Sequence, residues 1–108
     1  MKTNYKFGEV TKQNSVIDYS DNSVVFKQVF ETNNGGVALL ALKAGQKLET
    51  HTTPFEVMVN VSEGEIEFKM LDDEKNIKEG EFLLMGANVP HSVVARKDSK
   101  ILLIKIKD

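Results

Sequence analysis

Glu56-Val-Met-Val-Asn-Val-Ser62 and Glu65-Ile-Glu-Phe-Lys-Met70 decide the fold, because apolar and polar residues alternate through both. A period of two is that of a strand with one buried face. Val57, Val59 and Val61 share one face of the first segment, with Glu56, Met58 and Asn60 on the other. In the second, Ile66, Phe68 and Met70 point inward while Glu65, Glu67 and Lys69 face water. Ser62-Glu-Gly-Glu65 joins the two as a turn.

The same pattern extends in both directions. Upstream, Val24 to Glu31 is rich in β-formers and Val37 to Leu42 is a short apolar run. Asn33-Asn-Gly-Gly36 lies between them and supplies residues that tolerate positive φ, so the pair is predicted as a hairpin. Lys47 to Thr52 is a further strand. Downstream, Asp72 to Asn76 is expected to be a polar turn, Lys78 to Glu81 another, and Phe82 to Met85 a short buried run. Gly86 to Pro90 is a loop, and His91–Ala95 and Ile101–Lys107 complete the set. About ten short strands separated by turn signals predict an all-β single domain over residues 1–108, a sandwich or barrel. Residues 1–20 are more polar and are expected to form an edge strand or an arm.

Composition narrows the chemistry. The chain has 108 residues, with 14 Lys and Arg against 16 Asp and Glu. That balance argues against nucleic acid as a partner. Cysteine is absent, which removes disulfides, thiol nucleophiles and thiolate metal sites. The longest apolar stretch is far shorter than the ~20 residues that span a bilayer, and the first residues lack a signal-peptide core. The expectation is a cytoplasmic protein with no membrane partner. Only His51 and His91 are available for imidazole chemistry at neutral pH.

Those two histidines sit in recognisable surroundings. Gly45-x5-His51-x-Thr53, running on to Gly64, and Gly80-x5-Gly86-x-Asn88-x2-His91-x3-Ala95 resemble the two motifs of the cupin superfamily. The first cupin motif is Gly-x5-His-x-His-x3–4-Glu-x6-Gly. The second is Gly-x5-Pro-x-Gly-x2-His-x3-Asn. Residues 45–64 and 80–95 thus carry the two motifs, and the resemblance implies a cupin-type double-stranded β-helix, a jelly-roll barrel. Thr53 stands in the second histidine slot and Val57 in the glutamate slot. Glu56 is one residue out of register with that slot, so on a strand it points to the opposite face. The string His51-Thr-Thr-Pro-Phe-Glu56 looks like that of small single-domain cupins, commonly homodimers.

Cupin metal sites use three histidines and a glutamate, so the resemblance is to the scaffold of a metal site with half of its ligands. Two imidazoles hold a transition ion weakly unless a third ligand closes the site. Glu49, two residues before His51, shares its face if the strand is regular; Gln46 and Thr53 are further candidates. The cofactor expectation is none, or a weakly bound divalent ion such as Zn, Ni, Fe or Mn held by His51, His91 and Glu49.

Three functions follow. One is a small-molecule-binding barrel, with His51, Thr53, Phe55, Val57, Met85 and His91 lining an apolar pocket that has a few polar anchors. The second is a metal-dependent enzyme of the cupin dioxygenase or isomerase type. The third is metal-free catalysis with one histidine as general acid or base. Arg96, the only arginine, lies just past the second motif and is a possible anion contact. A homodimer is expected on two grounds beside the resemblance. The N-terminal β-prone pieces have no obvious partner, and Ile101-Leu-Leu-Ile104 is apolar on both faces.

Overall fold

The computed structural model describes residues 1–108 and contains ten strands and one short 3-10 turn. The strands are β1 (Lys2–Thr3), β2 (Val25–Thr32), β3 (Gly35–Leu42), β4 (Lys47–His51) and β5 (Glu56–Glu63). They continue with β6 (Glu65–Met70), β7 (Asp73–Lys78), β8 (Phe82–Met85), β9 (His91–Ala95) and β10 (Ser99–Ile106). Two antiparallel sheets face each other. One has the order β1-β2-β3-β10-β5-β8, the other β4-β9-β6-β7. Each sheet joins one hairpin, β2-β3 or β6-β7, to strands from distant parts of the chain, the arrangement of a jelly-roll barrel. No helix is long and apolar enough to cross a membrane.

The alternating segments became β5 and β6 with the inward faces expected of them. Val57, Val59, Val61, Ile66 and Phe68 are all buried in one core between the sheets. Gly64 makes the corner between them. Its φ is +85°, and a Cβ there would lie 2.3 Å from the Asp98 carbonyl oxygen and 2.4 Å from Ser99 Oγ. Only glycine meets both demands. The predicted hairpin also forms, with Asn33 and Asn34 as its two-residue tip between paired Thr32 and Gly35.

Three local expectations need correction. Residues 73–76 are strand rather than turn, because β7 is the outer strand of its sheet and buries only Ile77. Its backbone pairs with β6 while its side chains stay in water, so no alternation marks it. The turn is confined to Leu71-Asp72, with Leu71 at φ +52°. Phe82–Met85 is not a buried run. β8 is an edge strand, so only Leu83 and Met85 turn inward, while Phe82 is 61% and Leu84 70% exposed. Finally, the N-terminal residues do have partners within the chain. β1 pairs with β2, and Ile17 is buried against Leu39 and Ala41, with Leu102 alongside, on the outside of the large sheet. Tyr19 donates a 2.5 Å hydrogen bond to Glu63 Oε2, which clamps the arm to the end of β5. The second apolar face of β10 is therefore covered in part by the chain's own arm.

Candidate functional site

β4 and β9 lie side by side, and their register sets His51 directly opposite His91. The ring centroids are 4.2 Å apart, tilted by 57°. Two histidines 40 residues apart in sequence thus meet at one point of the barrel wall. Each ring is fixed by its own backbone. His51 Nδ1 lies 2.9 Å from the Glu49 carbonyl oxygen, and His91 Nδ1 lies 2.9 Å from that of Val89. A carbonyl can only accept, so each Nδ1 donates. In the neutral ring this leaves the lone pair on Nε2. The second face of His91 is covered by Phe68, whose ring is nearly parallel at 5.5 Å. Burial, foremost, holds the His91 pKa below its ordinary 6.5; the neighbouring His51 adds to this and the Val89 contact opposes it.

The pair opens onto a cavity of about 370 Å³ between the sheets. That volume is at the small end of ligand sites, roughly 300–1,000 Å³. Ten of its 15 lining residues are hydrophobic. His51, Thr53, Val57, Met85 and His91 are all brought together on this wall. Phe55, expected on this wall, is not among the lining residues; it is half-buried at the edge of the core, with the Lys105 ammonium 5.8 Å from its ring centre. Thr53 is also tied into its loop, its carbonyl accepting from the Asn88 amide at 2.7 Å.

Glu49 does not join. The pairing of β4 with β9 shifts register between Leu48 and His51, so Leu48 and His51 both line the cavity. This bulge breaks the alternation that would have put Glu49 beside His51. The Glu49 carboxylate is 81% exposed and ion-paired with Lys47 at 3.3 Å. Gln46 is likewise spent on structure, donating to the Ser20 carbonyl and accepting from the Lys43 amide. Arg96 is bound to Glu67 and Asn76 on the outside of the barrel. No group of three His, Cys, Asp or Glu side chains stands together anywhere in the chain. The donors present are two imidazoles, and they do not meet the three-ligand requirement of a catalytic metal on their own.

Ten of the lining residues were not anticipated as such, and two of them, Lys105 and Phe26, bear on the chemistry of the site. Both occupy inward positions of their strands, Lys105 opposite Val57 and Phe26 opposite Leu40. The signal was present in β10: Ile101, Leu103 and Lys105 share one face, so a lysine continues an apolar row. Its ammonium lies 5.9 Å from the Phe26 ring centre as well.

Comparison with known proteins agrees with this fold. The cupin domain family matches residues 38–106, and the chain belongs to that family. No curated protein sequence matches it. Its fold is similar to a conserved SPY1581 protein of unknown function from Streptococcus pyogenes (TM-score 0.91, 21% identity, covering 100% of this chain and 96% of that one). It is also similar to a cupin superfamily protein from Desulfitobacterium hafniense (TM-score 0.89, 16% identity, 98% and 97% covered). An RmlC-like cupin from Desulfovibrio desulfuricans shares 28% identity at a TM-score of 0.75, with 98% and 96% covered.

Proposed function

We propose that this cupin is a small-molecule-binding barrel in which His51 and His91 anchor a ligand inside an apolar cavity. The observation that carries the reading is the pair itself. Two imidazoles from separate strands, rings 4.2 Å apart, are the convergent polar groups of a pocket otherwise lined mainly by aliphatic side chains. Either Nε2 is free to accept from a ligand hydroxyl or, when protonated, to donate to a carboxylate. A thermal-shift panel of sugars, organic acids and phenolics tests it. Stabilisation by a panel member, lost in His51→Ala and His91→Ala, is the expected result; no stabilisation by any member overturns it.

A metal-dependent enzyme of the dioxygenase or isomerase type is the alternative, favoured by the two adjacent Nε2 lone pairs. Elemental analysis of protein purified without a histidine tag separates the two. A stoichiometric transition metal that His51→Ala removes and Glu49→Gln leaves in place favours the enzyme. Metal-free protein favours the binding module.

The same reading has the chain working in the cytoplasm as a homodimer. The support for the homodimer is the part of the outer sheet face that the arm leaves open. There Met58, Leu84, Ile104 and Ile106 line an apolar hollow beside the edge strand β8. A two-fold axis would set this hollow against its own copy. Light scattering that gives a monomer at micromolar concentration overturns the dimer.

A further inference from the structure

We propose that the ligand is an amphiphilic carboxylic acid, its apolar body in the barrel and its carboxylate on Lys105. The inference rests on the binding-barrel reading and adds the chemical class of the ligand.

Lys105 is placed where charge is least expected. β10 is central in the large sheet, between β3 and β5, and its inward residues before Lys105 are Ile101 and Leu103. Lys105 continues that row and lines the cavity. Its ammonium has no carboxylate partner. The ion pairs of the chain are Lys43–Asp21, Lys47–Glu49 and Arg96–Glu67. Instead it rests over Phe26 and Phe55 at 5.9 and 5.8 Å, within reach of a cation–π contact. Ring faces steady an ammonium but leave its hydrogen-bond donors for another group.

The remaining lining residues define what that group is. None of the 15 is Asp or Glu, so a lysine is the only formally charged side chain of the cavity. The two imidazoles stand together on the β4–β9 wall, whereas Lys105 comes from β10 in the opposite sheet. One cation matches one carboxylate in a charge-assisted hydrogen bond. A carbohydrate would strand most of its hydroxyls against Leu, Val and Ile side chains, at a desolvation cost. A ligand with one anionic end and an apolar body leaves neither the ammonium nor the walls unmatched.

Calorimetric titration with octanoate, 1-octanol and octylamine tests this, because the three share a tail and differ in head-group charge. Octanoate is expected to bind about tenfold more tightly than octanol, with octylamine weakest. Lys105→Met keeps an apolar stem and should bring octanoate down to the level of octanol, so that the ratio of the two affinities approaches one. Lys105→Arg should preserve the preference, which also guards against a folding defect at this position. Equal binding of octanoate and octanol to the natural chain overturns the assignment and leaves the binding barrel standing. A preference that persists in Lys105→Met also overturns it. If none of the three binds, this inference falls, and the thermal-shift panel decides the barrel reading separately.

Discussion

Removing the Phe68 ring is expected to weaken the fold and retune the site at once. Phe68 is 1% exposed, sits in the main core and stacks on His91. Truncation of a buried phenylalanine to alanine costs about 3–5 kcal/mol, the spread reflecting how well the void is filled. Here Phe68 also lines the cavity, so the void opens into a space that water can enter. That places the loss for Phe68→Ala near the lower end, about 3 kcal/mol. A 108-residue domain holds about 5–16 kcal/mol in total, so the variant should remain folded. Its midpoint should fall by about 12–15 °C, at about 4–5 °C per kcal/mol. The second consequence concerns His91. Burial is the chief cause of its lowered pKa, and Phe68 supplies one covering face. Hydrating that face should return the His91 pKa towards 6.5. Denaturant unfolding measures the first effect, and NMR titration of the His91 ring proton measures the second. A loss under about 1 kcal/mol shows that Phe68 is not the keystone its burial implies. An unmoved His91 titration refutes the link between the core ring and the site.

Further outcomes follow from single residues. His91 has a folded-state pKa below its unfolded value, so the unfolded chain takes up its proton first as pH falls. Its contribution to stability is therefore undiminished above pH 6.5 and declines as pH drops below it. Denaturant midpoints for His91→Gln should show a flatter slope just below pH 6.5; an identical slope would remove His91 from the account. Gly64 and Gly80 share a φ near +85°, but only Gly64 has backbone packed against the missing Cβ. Gly80→Ala should cost about 1–2 kcal/mol for the left-handed conformation, and Gly64→Ala clearly more. Equal losses would mean that the Asp98 and Ser99 backbone yields freely. Tyr19→Phe leaves the Glu63 carboxylate without its arm partner and should cost about 1 kcal/mol. If limited proteolysis then cuts residues 1–20 no faster, the clamp is not what holds the arm.

Much of the barrel was legible because the alternation in β5 and β6 is a direct imprint of a surface that is wet on one side and dry on the other. The resemblance of residues 45–64 and 80–95 to the two cupin motifs implied a shared site for His51 and His91. Where side chains carry no such imprint, the pattern is silent. β7 is nearly all polar because an outer strand needs only its backbone to belong to a sheet. Phe82 and Leu84 looked buried because apolar residues on an edge strand read like core residues in sequence.

The sequence by itself determined the all-β class, the two motif segments and the identity of the available imidazoles. Tertiary structure alone decided which neighbours complete the site. One bulge in β4 sends Glu49 into water, and the register of β10 against β5 brings Lys105 into the cavity. Both depend on how strands far apart in the chain align. A shift of one residue exchanges the faces of a strand, and local composition does not encode that choice.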